Sequence, residues 1–369
     1  MHIPFLDFEA QYNSIKDELD IAMTNAMHRF NFIRGPEVTA FEQAFGKTLG
    51  IPHVVATGNG TDSLFIALKV LGVGPGDEVI TPAFSCIPSA ETIPLTGAKP
   101  VFTDVDPGIY TIDPGQIEAK ITAQTKAVIA VHLFGQAADI TAIQAICKKH
   151  NLCLIEDCAQ AHCTKVNDSC VGTFGNAGTF SFYPTKNLGA YGDAGCVVTN
   201  DTALAEKIRR FANHGAREKD DHLFEGTNSR MDTLQAAVLM AKLPHLESWN
   251  AKRRNIATLY NALLNDVGEV TTPLERKGTV HTYHIYAIRA EARDALKAFL
   301  AEKGIQTLIH YPASLHCLPA YKYLNHQPSD FPVANRLQHE ILSLPVYPAL
   351  TEEQVRYVCA SIKDFFARA

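Results

Sequence analysis

Between residues 50 and 200, short β-branched apolar runs alternate with longer segments whose apolar positions recur at helical spacing. The runs predict strands at 53–57, 78–82, 100–105, 127–132, 152–157, 179–183 and 195–199. Several are apolar at consecutive positions, as in Ala127-Val128-Ile129-Ala130-Val131. A strand without polar alternation is buried on both faces, as in a parallel sheet covered by helices. The intervening segments predict helices at 61–71, 87–96, 117–121 and 139–150, with two more after the sheet at 203–211 and 232–246. The expected fold class is α/β, with about seven mostly parallel strands and helices on both faces.

Beyond residue 248 the pattern changes. A long polar-faced helix at 249–264 leads to a strand around 283–289, a helix at 291–303, a turn at Gly304, an extended 306–311 and a last helix at 352–367. These segments predict a smaller C-terminal α+β domain. At the other end, the spacing over 12–27 predicts one amphipathic helix after a short extended lead. The expected organisation is an N-terminal segment, 1–30, packed on the small domain, then a large domain over 31–247 and a small one over 248–369. No internal repeat or heptad series interrupts it.

Composition narrows the function. With 46% hydrophobic and 20% charged residues in 369, the chain can bury a large core and is not disordered. Its formal net charge of −6, with lysines and arginines scattered, argues against a nucleic-acid partner. No apolar run approaches the roughly 20 residues that span a bilayer, so no membrane is expected. The first residues carry Asp7 and Glu9 and lack the basic-then-apolar order of a secretory signal. The expected location is cytoplasmic, where the nine cysteines would be free thiols.

Three segments could carry chemistry. Thr57-Gly58-Asn59-Gly60-Thr61-Asp62 lies between a strand and a helix. Glycines there let backbone approach an anion, and the free N–H groups of the helix start would face it. An ordinary tight turn is the alternative. A dinucleotide fingerprint fits poorly, because Ser63 stands where its third glycine belongs. Asp157 ends a predicted strand, and ligands of open parallel sheets gather at carboxyl ends. It could equally cap the next turn. Lys186 follows another strand end, in an apolar, Pro184-ordered loop that could desolvate an amine into a nucleophile, although a lone loop lysine can also be a solvated charge. Together, an anion cradle, a strand-end carboxylate and a lysine are the parts that pyridoxal 5'-phosphate (PLP) requires.

The segments Glu156-Asp157-x-Ala159-Gln160-x-His162 and Ser181-Phe182-x-x-x-Lys186 carry a resemblance, supported by Ile3 to Asp7, Phe32 to Val38, Gly60-Thr61-Asp62, Gly74 to Pro82, Asn228 to Asp232 and His310-Tyr311-Pro312. The chain resembles the DegT/DnrJ/EryC1/StrS family of nucleotide-sugar aminotransferases, which have the aspartate aminotransferase (fold type I) architecture. The resemblance implies that Lys186 carries the cofactor covalently and Asp157 pairs with its pyridine nitrogen. It also implies that Gln160 lies near the phenolic oxygen, that Gly60, Thr61, Asp62 and Ser181 hold the phosphate, and that Asn228 reaches the phosphate of a neighbouring subunit in a homodimer. His310, Tyr311 and His316 would border the sugar. The implied reaction moves an amine from an amino acid, L-glutamate, to a nucleotide-linked keto-sugar.

Cys86 stands where many relatives stack an aromatic ring on the cofactor, Leu318 where many have glutamine, and Tyr347 where many have histidine. A sugar dehydratase on the same fold would have histidine in place of Lys186. A non-catalytic sensor would have no reason to keep Asp157, Gln160, Ser181 and Lys186 together. Cys158, His162, Cys163 and Cys170 contain no Cys-x-x-Cys pair, so no metal is expected. His281 and His284 flank Tyr283 on the predicted strand, and their odd spacing would turn them to opposite faces.

Overall fold

The structure is a computed structural model that describes residues 1–368. Its strands are β1 His53–Thr57, β2 Glu78–Pro82, β3 Lys99–Thr103, β4 Thr125–Val131, β5 Cys153–Asp157, β6 Lys165–Val166, β7 Ser169–Cys170, β8 Ala177–Ser181, β9 Gly195–Thr199, β10 Val270–Thr271, β11 Thr279–Val280, β12 Tyr286–Ala290 and β13 Ile341–Leu344. Its helices are α1 Phe8–Ser14, α2 Lys16–His28, α3 Pro36–Leu49, α4 Gly60–Val70, α5 Pro88–Leu95, α6 Ile140–Lys149, α7 Thr202–Phe211, α8 Thr233–Lys242, α9 Leu246–Leu264, α10 Arg293–Glu302, α11 Pro332–Glu340 and α12 Glu352–Ala367.

Seven strands form one sheet in the order β1-β9-β8-β5-β4-β2-β3, in which β9 alone runs against the others. The apolar runs are buried on both faces, as their lack of alternation requires, between two hydrophobic layers. The parallel direction brings the carboxyl ends of β1, β5 and β8 to one edge, which is where the candidate residues lie. A third core surrounds the three-stranded sheet β10-β12-β13, packed with α9, α10 and α12. No helix among the described residues is long and apolar enough to cross a membrane.

Several elements differ from expectation. The helix expected at 12–27 is two helices, α1 and α2, broken where Ile15 leaves helical geometry (φ −139°, ψ 25°) and buries its side chain against Leu19, Val238 and Trp249. The extended lead joins the C-terminal core through the Ile3–Ile305 bridge, while α2 lies on α8. The helix expected over 232–246 stops at Lys242, because Pro244 allows only a 3₁₀ turn before α9 begins at Leu246. Residues 117–121 form only a 3₁₀ turn, Glu118–Lys120. Helix α3 lies in a stretch for which no helix was expected.

Candidate active site

Helix α4 starts at Gly60, and Asn59 caps it by accepting from the Asp62 N–H at 2.8 Å. The N–H groups of Gly60 and Thr61 therefore have no helical acceptor and lie at the positive end of the helix. A side chain cannot fit at Gly60, since a Cβ there would sit 2.6 Å from Ser181 Cβ. The bare backbone brings the helix start against the end of β8. Asp62 is otherwise engaged: its carboxylate accepts from Ser229 Oγ at 2.6 Å, which makes it a buttress of the loop. Asp62 nevertheless lies with Gly60, Thr61 and Ser181 at this end of the cleft.

These groups line an open cleft of about 1130 Å³ with Ser85, Cys86, Asp157, Gln160, Tyr183 and Lys186. Asp157 is buried and receives the Ala159 N–H at 3.0 Å. Burial raises its pKa, opposed by that N–H and by the positive charge of Lys186. A buried carboxylate in a ligand cleft is best satisfied by a cation. Burial lowers the pKa of Lys186, with Cys86 and Asp157 pulling the other way. Its loop is held by Asn187, which donates to Asn250 Oδ1 at 2.8 Å and to the Thr282 carbonyl at 3.0 Å. Because the Asn187 amide oxygen faces His284 Nδ1 at 3.2 Å, that ring nitrogen carries the proton.

Gln160 is fixed at both ends: its carbonyl accepts from the Phe134 N–H at 2.7 Å and its amide donates to the Tyr311 hydroxyl at 2.9 Å. Cys86 faces the cleft beside Tyr311, and its surroundings raise the thiol pKa. His310 is half-buried on Ser343 Oγ at 2.9 Å. Four expected residues do not line this cleft: His310, Tyr311, His316 and Asn228. His316 is buried against Phe331, their rings 4.7 Å apart. Asn228 is exposed beside Ser229 and does not line the cleft. Asn59 and Ser85 were not singled out by sequence. The Ser85 hydroxyl is buried without a partner, and no local pattern marks it.

Glu156, one residue before Asp157, faces away from the cleft. Its carboxylate accepts from the N–H groups of Gly172, Phe174 and Gly175 and lies 3.0 Å from His132 Nε2. His132 Nδ1 accepts from the Ala138 N–H, so Nε2 is the donor to Glu156. Cys158 approaches this pair within 4.8 Å, but burial keeps its thiol protonated. Glu156 is thus engaged in anchoring the loop that follows β7, and His132 in holding Glu156 and the Ala138 N–H. The His281–His284 segment is not a strand, because β12 begins at Tyr286. Both rings are buried, and alternation does not apply to them.

Burial pushes His162 and His281 down to about 3, and His284 well below its ordinary 6.5. A histidine depressed in the fold contributes stability above its unfolded pKa and loses it as pH falls. Each of the three should therefore withdraw up to about 1.4 kcal/mol per pH unit below about 6.5. The urea midpoint is expected to be lower at pH 5 than at pH 7.5. A level midpoint would mean that the rings are hydrated or charged in the fold.

The sheet order, the cleft at its carboxyl edge and the lysine–carboxylate–helix-start arrangement define a fold type I aminotransferase. The model of the DegT/DnrJ/EryC1/StrS aminotransferase family matches residues 13–363. The chain is 47% identical over 368 residues to a pleiotropic regulatory protein of Geobacillus stearothermophilus, covering 99% of each. It is 39% identical over 362 residues to UDP-2-acetamido-2-deoxy-3-oxo-D-glucuronate aminotransferase of Pseudomonas aeruginosa, covering 98% of this chain and 100% of the relative. Among solved structures, S. venezuelae DesV in complex with a ketimine intermediate matches with a TM-score of 0.98 at 38% identity, over 100% of this chain and 99% of that one. The chain belongs to the DegT/DnrJ/EryC1/StrS aminotransferase family, and it is a PLP-dependent sugar aminotransferase.

Proposed function

We propose that the protein transfers the amine of L-glutamate to the C3 keto group of a nucleotide-linked sugar, giving a 3-amino sugar nucleotide, in a cytoplasmic homodimer. The observation that carries the reading is the meeting in one cleft of a desolvated lysine, a buried carboxylate and a helix start whose N–H groups are free. The C3 position rests on the P. aeruginosa relative, which is named for a 3-oxo substrate.

The residues fit the cofactor. Gly60 leaves room for a phosphate where a Cβ would collide with Ser181, and the orphan Ser85 hydroxyl lacks a protein partner. When bound, PLP supplies an electron sink for a carbanion next to the transferred nitrogen. The N–H groups of Gly60 and Thr61, with the Thr61 and Ser181 hydroxyls, would hold its phosphate, and Asp157 would keep its ring nitrogen protonated. Gln160, held by Phe134 and Tyr311, would orient its phenolic oxygen. Lys186 would be its covalent anchor and, once freed, the proton carrier. Burial lowers the pKa of Nζ, which favours the neutral amine that would take a proton from the donor's α-carbon and return one to the sugar carbon. Cys86 would lie against the ring with its thiol protonated.

Support for the homodimer comes from exposed Asn228, whose neighbour Ser229 braces the cradle, and from exposed Phe30, Phe32, Ile33, Leu223 and Phe224. His310 and Tyr311 enter from the C-terminal segment and would meet the sugar. The Geobacillus relative bears a regulatory name, but a sensor needs no desolvated lysine beside a buried carboxylate. Nine free thiols suit a reducing compartment.

Gly60→Ala tests the cradle. Cofactor affinity is expected to fall by about fivefold to 150-fold, as overpacking of about 1–3 kcal/mol implies, and equilibrium dialysis with PLP reads it directly. Unchanged affinity would move the phosphate elsewhere. The substrate reading is tested by offering 3-keto and 4-keto nucleotide sugars with L-glutamate and locating the new amine by NMR. An amine at C3 is expected, and a product only from the 4-keto sugar would overturn the assignment.

A further inference from the structure

A second pocket, small and open to solvent, meets the cofactor cleft at Lys186, the one residue that lines both. Its walls include Asp7 from the N-terminal lead, Trp249, Lys252 and Arg253 from α9, and Tyr347. Arg253 is only 4% exposed. Its Nη1 donates to the carbonyls of Val346 at 2.6 Å, Tyr283 at 3.3 Å and His284 at 3.5 Å. Its Nε is buried with no acceptor, and no carboxylate lies within ion-pair distance among the described residues. Burial without an anion pushes its pKa down to about 10. A guanidinium so placed is costly unless something supplies the missing charge.

We infer that this cavity is a carboxylate subsite for the amino-acid donor, with Arg253 as its buried cation. The inference rests on the transaminase reading above. All three hydrogen bonds of Arg253 come from Nη1, which leaves Nη2 without a partner in the described protein and its N–H groups available to a carboxylate oxygen. Lys252, exposed at the cavity, adds positive charge. Asp7 opposes it, although part of its charge is taken up where Oδ1 accepts the Ala10 N–H at 2.8 Å. That remaining negative charge disfavours a doubly charged diphosphate more than a carboxylate, so the donor rather than the nucleotide is the occupant. A donor anchored here by one carboxylate has its reacting end next to Lys186, the residue both cavities share. The arrangement thereby selects amino acids with an anionic group in reach of Arg253.

The test is calorimetric titration of the PLP-loaded protein with glutarate, a dicarboxylate that lacks the reacting amine, and separately with uridine diphosphate. Arg253→Gln is expected to weaken glutarate binding at least tenfold and Arg253→Lys less, with uridine diphosphate binding unchanged. Because Arg253 also braces three carbonyls, its variants could fail to fold. Lys252→Glu, at an exposed position, is therefore measured beside them and is expected to weaken glutarate several-fold at an unchanged melting temperature. Wild-type protein that ignores glutarate, a Lys252→Glu variant that binds it as wild type does, or a loss confined to uridine diphosphate would each overturn the subsite. Amino transfer is assayed separately. Lost glutarate affinity in a protein that transfers no amine would leave the subsite standing and refute the function, and active transfer with unaltered affinities would do the reverse.

Discussion

Lys186→Ala is expected to abolish amino transfer, lowering turnover by more than about 10³-fold, because in the proposed reaction one side chain is both the covalent anchor and the proton carrier. The cofactor should still enter the cleft, since Gly60, Thr61, Ser181 and Asp157 are untouched. The effect is therefore a loss of kcat in a protein that retains PLP on dialysis. Methylamine, which restores a base without an anchor, is expected to return a small part of the rate. Full turnover in the variant would remove Lys186 from the chemistry and leave its lowered pKa as a by-product of burial.

The next largest effect is expected for Asp157→Asn, which keeps shape and removes charge. Turnover should fall by about 10²- to 10³-fold, with a smaller change in cofactor affinity, because in the proposed reaction the carboxylate faces the ring nitrogen and acts where charge develops. The asparagine can still accept the Ala159 N–H, so the loop after β5 should hold. Steady-state kcat and cofactor affinity, measured on the same preparation, separate the two effects. A variant with wild-type turnover and bound PLP would show that another group protonates the ring.

Much of this was legible in the chain. The consecutive apolar positions of β4 and β5 could satisfy only a doubly covered sheet, and that topology sends Asp157 and Ser181 to the same edge as Gly60. The misses have different causes. Helix α3 carried its signals openly, with Pro36 at its first position, Gly50 in the left-handed conformation (φ 74°) after its end, and Val38, Phe41, Phe45 and Leu49 on one buried face. The break at Ile15 has no local marker, because it depends on a pocket formed by Val238 and Trp249 more than 200 positions away. His281 and His284 alternate like strand residues, but Thr282 is fixed by the Gly135 carbonyl and His284 by Asn187, so tertiary contacts override the pattern.

The site divides in the same way. The strand-end positions of Asp157 and Lys186 are legible in the chain and their roles rest on the family resemblance, whereas the engagement of Asp62 by Ser229 joins residues 167 positions apart and cannot be read locally. His316 lies close in sequence to Tyr311, but its short 3₁₀ turn directs the ring into the core against Phe331. Arg253 sits on a helix whose sequence looks polar-faced, and only packing reveals that its guanidinium is buried.

The central claim, a lysine-anchored cofactor that accepts the donor's amine, is tested most directly by visible absorbance. The purified protein is mixed with PLP and scanned before and after addition of L-glutamate, beside Lys186→Ala. The account predicts a long-wavelength band in the wild type that glutamate converts to the shorter-wavelength pyridoxamine form, with neither the lysine-linked band nor its conversion in the variant. A wild-type protein that binds no PLP, or a variant whose spectrum and response match the wild type, would contradict it.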